Sequence, residues 1–269
     1  EDRVRVSNWL VRVFPNKYPA LSRDVKGVAG ELSVYGYHEV LVESPIHDEN
    51  EYLLRIDHIF NSLITLRERI KEILKDEAIV SVLIIKNSGP GSGASIEHPH
   101  LQIFANTFVP PIILSELRTF KEVMEGSGLC PLCEVVKDES PRRILESRYF
   151  VVEASYAPRQ PYELIIIPKN HSESFIYSSN DELNDLAYVL SASIRVLKKA
   201  LGDISYNFWM HIAPKNVSKF YHWHIEIQPT IETWGGYERG GGVFIVTAKP
   251  EDVAQELRKL LNLLNLNRG

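Results

Sequence analysis

The sequence predicts an α+β fold built from two fused units related by internal duplication. Three observations predict it. The order strand, strand, long helix, strand, loop, histidine-bearing strand occurs twice along the chain. His47 and His98 are 51 residues apart, as are His171 and His222. Glu39 precedes His47 by eight residues, and Glu163 precedes His171 by eight. A repeated order with matched spacings is the signature of a repeated structural unit. Residues 1–128 then form the first unit and 129–269 the second, with the join near Ser127–Leu129 and a last helix as an appendage.

In the first unit a strand over Trp9–Phe14 meets the turn Pro15-Asn16-Lys17-Tyr18-Pro19, and a strand over Glu39–Glu43 runs into Ser44-Pro45-Ile46-His47. Leu53, Ile56, Phe60, Leu63, Ile70 and Leu74 recur at helical spacing, which predicts one helix from about Glu51 to Leu74. The apolar run Ile79–Ile85 leads into the glycine-rich stretch after Lys86, which opens into His98-Pro99-His100 and the strand Leu101–Ala105. The second unit repeats this with strands over Tyr149–Glu153 and Glu163–Ile167, the latter running into Pro168-Lys169-Asn170-His171. A helix over Asp181–Leu201, a strand over Tyr206–Ile212 and His222-Trp223-His224-Ile225-Glu226 follow, and the appended helix covers about Pro250–Leu264.

Composition narrows the functional classes. With 269 residues, 44% hydrophobic and 24% charged, the chain reads as a soluble globular protein with a substantial core. Its net charge of −5 argues against a broad nucleic-acid footprint, so a phosphorylated substrate must be met by local donors. No apolar run reaches the roughly 20 residues of a bilayer span, and no signal-peptide pattern is seen, so a cytoplasmic enzyme without membrane partners is expected. The first residue is Glu1 rather than Met, which leads us to expect native sequence upstream.

Chemistry concentrates between Lys86 and Gln102. Glycines let backbone N–H groups approach an anion closely, and an imidazole just inside the next strand can reach phosphorus. The glycine turn alone would suit an ordinary hairpin; the His-Pro-His-x-Gln pattern beside it points to phosphate chemistry at a histidine. Both cysteines lie in Cys130-Pro131-Leu132-Cys133, a spacing that suits a metal or redox role. Together with His171 and His222 they compose a four-ligand tetrahedral zinc set, which would be structural. The plainer alternative is two buried thiols and two loop histidines.

The duplicated unit with histidine pairs at strand starts resembles the histidine triad superfamily, whose pattern is His-φ-His-φ-His. The whole chain resembles the galactose-1-phosphate uridylyltransferase family, in which two such units are fused. The resemblance runs through Val13–Leu21, Gly93–Gln102, Pro161-Tyr162-Glu163, His222-Trp223-His224 and Gly236-Tyr237-Glu238, with glutamine in place of the third histidine.

That resemblance implies an antiparallel sheet with one long helix in each unit, and a nucleotidyltransferase working by ping-pong through a nucleotidyl intermediate on His100. Gln102 would donate to the phosphoryl oxygens without handing over a proton, favouring transfer over hydrolysis. Asn87, Gly93 and Ser95 would supply donors to the phosphates, and Asn16 with Tyr18 would lie against the nucleoside. Turn chemistry for Asn87 and Ser95, and packing for Tyr18, are the alternatives.

In the second unit the segment Ala213–Tyr221 has no glycine, and Glu226 stands where Gln102 stands, so one active site per chain is expected. Some family members hold a metal on a set that would here be Glu116, His211, His222 and His224, in competition for His222. In the first unit His47 and His98 would pair with cysteines that this sequence lacks.

Glu238 would contact a hexose, often from the partner subunit, and a homodimer is implied. Arg239-Gly240-Gly241-Gly242 and Lys17 depart from the family pattern and leave hexose and base open. The expectation is a UDP-glucose:hexose-1-phosphate uridylyltransferase acting on a nucleotide sugar and a hexose 1-phosphate, with structural zinc and no organic cofactor. Adenylyl transfer of the ADP-glucose phosphorylase type, or a non-catalytic nucleotide-binding module, are the alternatives.

Overall fold

Among the described residues, alternating apolar residues in short runs make nine strands, and apolar residues at three- and four-residue spacing make the helices that cover them. The computed structural model describes residues 9–23, 35–216 and 218–266; Val217, in the glycine-free segment, lies outside the described residues. The strands are β1 Arg12–Pro15, β2 Gly36–Val42, β3 Ser81–Ser88, β4 His100–Asn106, β5 Arg143–Glu146, β6 Phe150–Ala154, β7 Leu164–Pro168, β8 Tyr206–His211 and β9 His224–Pro229. They form one sheet in the order β1-β2-β4-β3-β8-β9-β7-β6-β5, with every neighbouring pair antiparallel. The order of connection mirrors itself about the β3–β8 pair: β1-β2-β4-β3 on one side, β6-β7-β9-β8 on the other.

The helices are α1 Glu49–Leu53, α2 Ile56–Ile73, α3 Pro111–Ser127, α4 Pro131–Lys137, α5 Asn180–Leu201, α6 Gly236–Gly241 and α7 Pro250–Leu263. Helix α2 packs on α5, and α5 on α7. Leu66 and Ile70 of α2 and Leu186, Val189 and Val196 of α5 share one core with Ile84, Ile103, Ile166 and Ile225 of the sheet. In α5 a capping box begins the helix, with the Ser179 hydroxyl accepting from the Glu182 N–H and Glu182 answering to the Ser179 N–H at 2.7 Å. No helix among the described residues is long and apolar enough to cross a membrane.

The helix expected over Glu51–Leu74 is two helices. Asp48 caps α1 by accepting from the Glu51 N–H at 2.7 Å, Leu54 closes it, and Arg55 begins α2, so the break turns Tyr52 and Leu53 inward. Helices α3, α4 and α6 and strand β5 escaped the sequence reading. In α3 the signal was present, since Ile113, Leu117 and Phe120 lie on one face and are buried against Tyr221. Strand β5 has only Ile144 and Leu145 to bury and is too short for a periodic pattern.

A buried charge cluster ties the two halves together beneath the glycine loop. The Lys86 ammonium meets Glu43 and lies 3.5 Å from Glu49, and Glu49 also accepts from Lys198 at 2.8 Å, Tyr206 at 2.8 Å and Ser88 at 2.7 Å. Burial alone would discharge Lys86, but the two carboxylates outweigh it and hold its pKa above the ordinary value. Removing the cation leaves the buried Glu43 carboxylate uncompensated and Glu49 with Lys198 alone, so Lys86→Met is expected to cost about 3–5 kcal/mol. Urea unfolding checks this through a lower midpoint at an unchanged slope; a cost below about 1 kcal/mol would show that the cluster is not balanced by this lysine.

Candidate active site and metal centre

The core-facing residues of β4 are Leu101, Ile103 and Ala105, so strand alternation sends His100, Gln102 and Phe104 to the face away from α2 and α5. On that face a cleft of about 580 Å³ opens between β2, β4 and the β1 turn. His100 and Gln102 line it with Val40 and Val42 from β2, Phe14 and Asn16 from β1 and its turn, and Ser95 from the glycine loop. Trp9, Arg12, Lys17 and Tyr18 form its rim. Tyr18 is 79% exposed, which suits a stacking surface better than a packing residue.

His100 is buried, and its Nδ1 donates to the His98 carbonyl at 2.8 Å. That bond fixes the neutral tautomer in which Nε2 carries the lone pair, the form needed for a nucleophile at phosphorus. Gln102 lies two residues further on the same face, with Oε1 2.8 Å from His38 Nε2.

The glycine loop is held by the second half of the chain. Gly89 has φ +80°, and a Cβ there would lie 2.5 Å from Ser205 Oγ. That hydroxyl accepts from the Gly91 N–H at 2.9 Å. Asn207 on β8 donates to Asn87 Oδ1 at 2.7 Å and to the Ser92 carbonyl at 3.0 Å, which turns the Asn87 NH2 away from Asn207 and leaves it as a donor. Asn87 and Gly93 are not among the cleft-lining residues, although Asn87 follows Ile85, the register partner of Gln102, by two. Glu238 stands apart, capping α6 by accepting from the Gly235 N–H at 2.9 Å.

Cys130, Cys133, His171 and His222 are brought together, with one donor atom from each within 4.8 Å of the others. His222 Nε2 donates to the Pro168 carbonyl at 3.0 Å, so its Nδ1 lone pair faces Cys130 Sγ at 3.6 Å and Cys133 Sγ at 3.5 Å. His171 Nδ1 lies 3.5 Å from Cys133 Sγ. Zinc bonds of about 2.3 Å to sulfur and 2.0–2.1 Å to nitrogen give a tetrahedral S···N edge of about 3.6 Å, so these contacts fit the ion. Burial and His171 hold the His222 pKa down at about 3, keeping the ligand nitrogen unprotonated, while burial and Cys130 push Cys133 up to about 12. A thiolate pair there needs a cation.

The rival set is not assembled as the resemblance implied. His222 is turned to the cysteines, and the second cluster consists of Glu116, His211, His224 and Glu226. In the first half, His98 Nε2 donates to the Ser44 carbonyl at 2.7 Å and its Nδ1 faces His47 Nδ1 at 2.9 Å, the arrangement of His222 and His171 without the cysteines.

A family model described as "Domain of unknown function (DUF4931) N-terminal domain" matches residues 35–108. The chain is 34% identical to ADP-glucose phosphorylase of Arabidopsis thaliana over 266 residues, covering 94% of this chain and 75% of that protein. It is 28% identical to galactose-1-phosphate uridylyltransferase of Thermotoga maritima, covering 91% and 83%. The chain belongs to the galactose-1-phosphate uridylyltransferase family. A crystal structure of the Arabidopsis ADP-glucose phosphorylase with bound ADP-glucose superposes with a TM-score of 0.88 at 34% identity, covering 94% of this chain and 82% of that one.

Within this family of nucleotidyltransferases, the face of the second half that matches the His100 cleft is chemically different here. Ile165 pairs with Glu226 as Val40 pairs with Gln102, so the register partner of the His38 position is Glu163, and Glu39 points to the opposite, helix-covered face toward Arg69. The equal eight-residue spacing of Glu39 and Glu163 therefore does not mark equivalent side chains. Arg159 fills the space between Glu163, at 2.6 Å, and Glu226, and the Trp209 indole donates to Glu226 at 2.5 Å. A cavity of about 270 Å³ on this face is lined by Glu153, Glu163 and Glu226, with Arg159 already paired to the last two, so an anion there would meet carboxylates.

The sequence reading missed His38, Asn207, Ser205 and Arg159. His38 could have been found from period-two alternation with Val40 and Val42; Ser205 and Asn207 become visible only once β8 is set beside β3, and Arg159 only once β7 is set beside β9.

Burial works against the Glu226 carboxylate, yet His224 and the Arg159 guanidinium hold its pKa down at about 2, below the ordinary 4.5. A carboxylate depressed on folding stabilises above its unfolded value and loses that stabilisation as pH falls through the folded one. Wild type should therefore lose stability between pH 4.5 and about 2 more steeply than Glu226→Gln. Urea unfolding across that range tests the pairing; identical slopes would mean that Glu226 is not held as an ion.

Proposed function

We propose that the chain transfers a nucleotidyl group from a nucleotide sugar to a phosphate acceptor through a covalent intermediate on His100. The observation that carries this reading is the Nδ1–H bond to the His98 carbonyl, which leaves Nε2 as a lone pair facing the cleft. His100 Nε2 attacks the α-phosphorus, the bond to the β-phosphate oxygen breaks, and a sugar 1-phosphate leaves. An oxygen of the acceptor phosphate then attacks the same phosphorus, the P–N bond breaks, and neutral imidazole returns. Donors at Gln102, Ser95 and Asn87, with Arg12 and Lys17 at the rim, would meet the phosphoryl charge in a chain of net charge −5. Gly93, which leaves the loop at φ +81°, would bring its N–H to the phosphates, and Asn16 with Tyr18 would flank the nucleoside.

Two donors fit. The likeness to ADP-glucose phosphorylase over 94% of the chain favours ADP-glucose with phosphate as acceptor. UDP-glucose with a hexose 1-phosphate, the sequence expectation, is favoured by the likeness to the Thermotoga enzyme. The mirrored strand order supports the duplication and the division into 1–128 and 129–269, and the reading has one active site because Arg159 on the second face is already paired with Glu163 and Glu226. The reading includes a homodimer, in which Glu238 on α6 would serve a hexose in the partner's cleft, and a cytoplasmic location.

Intact-protein mass spectrometry after a brief incubation with one donor and no acceptor tests the mechanism. ADP-glucose should give an acid-labile adduct of about 329 Da, or UDP-glucose one of about 306 Da, and His100→Ala neither. An adduct that persists in His100→Ala would move the nucleophile elsewhere, and none in wild type with either donor would leave binding without covalent chemistry.

The cysteine–histidine cluster is proposed to hold one structural zinc, with all four positions filled by protein. Cys133→Ser is then expected to lower bound zinc from about one per chain toward none and to lower the melting temperature. Zinc content equal to wild type would refute this assignment.

A further inference from the structure

We propose that His38 is a positioning residue that fixes which end of the Gln102 amide faces the reacting phosphorus; this deepens the reading of the His100 cleft and rests on it. The two ends of a glutamine amide are nearly the same shape but opposite in hydrogen-bonding sense, so something must choose between them. With Oε1 toward the cleft, Gln102 would set a lone pair against the phosphoryl oxygens. With NH2 toward it, the amide donates to them.

The choice is made at the ring of His38. The Ala20 backbone N–H points at His38 Nδ1 at 3.0 Å, and a backbone donor cannot be reversed, so Nδ1 must be the acceptor. The neutral ring then carries its proton on Nε2, which donates to Gln102 Oε1 at 2.8 Å and leaves the NH2 end for the cleft. Doubly protonated His38 would set Nδ1–H against the Ala20 N–H, and the Nδ1–H tautomer would do the same. Asn16 Nδ2, 3.1 Å from the same Nε2, would favour a lone pair there, but its amide is anchored through Oδ1 to the Tyr18 N–H and can only crowd the Nε2 proton, not remove it. The ring cannot swing away, because it stacks on Phe104 at 4.1 Å between centroids and is buried.

The test has two arms. In protein labelled with 15N at histidine, His38 is expected to show a bare Nδ1 and a protonated Nε2, and a protonated Nδ1 overturns the assignment whatever the catalysis does. In single-turnover formation of the His100 adduct from ADP-glucose or UDP-glucose, His38→Phe keeps a ring for Phe104 but removes the donor. It is expected to slow adduct formation about tenfold, less than outright loss of a phosphoryl donor. Added to Gln102→Ala, it should slow the reaction no further. Equal slowing in both backgrounds would mean that His38 acts elsewhere than through Gln102. A wild type that forms no adduct sinks the covalent reading alone, and the NMR arm then decides on His38.

Discussion

Leu101, Ile103 and Ala105 must leave water, and successive side chains of a strand point to opposite faces. Their burial under α2 and α5 therefore commits His100, Gln102 and Phe104 to the other face, with no freedom to slip by one residue. Strand β2 obeys the same rule, since Leu41 is buried with the helices, Val40 and Val42 line the cleft, and His38 lies on their side of the strand against Gln102. The site is thus set by hydrophobic burial on the far side of the sheet. A register error of one in β4 would turn His100 and Gln102 toward the helices and Leu101, Ile103 and Ala105 away from the core.

Pairing of β3 with β8 is the second constraint. It makes one sheet from two halves and puts Ser205 and Asn207 under a loop that belongs to the other half. Below the sheet the Lys86 cluster does the same from the helix side, joining Glu43 and Glu49 to Lys198 and Tyr206. A glycine-rich loop loses more backbone entropy on ordering than any other kind, so fixed partners matter more here than elsewhere. The second half thus contributes rigidity to the glycine loop of the first.

Much of this was legible in the sequence, and the gaps have physical causes. Long periodic segments such as α5 and apolar runs such as Ile79–Ile85 announce themselves, and His-Pro-His-x-Gln marks the cleft. The zinc-type cluster was legible because Cys130 and Cys133 are adjacent and the histidine spacing repeats. What stayed hidden depends on pairing across the sheet: Asn207 matters only because it lies beside Asn87, 120 residues away in sequence. The Glu39 and Glu163 spacing shows the opposite failure, since a one-residue difference in register sends two equally spaced carboxylates to opposite faces. Spacing along a chain does not report the face of a strand.

The contrast between the two sheet faces also explains why a transferase would keep an amide beside its nucleophile. A carboxylate at the Gln102 position would repel a phosphoryl group, and at the matching Glu226 position it is paired instead with Arg159, whose charge it already neutralises. A histidine there could carry a proton to water or to a leaving group. An amide does neither: it donates without titrating. Its weakness is that it can turn over, and an apolar environment does not correct that. A neighbour of fixed polarity does, and the chain from the Ala20 N–H through the His38 ring to Gln102 supplies one whose first link is backbone. In the proposed reaction, discrimination between transfer and hydrolysis would then rest on a donor that cannot be reversed, two steps removed from the phosphorus.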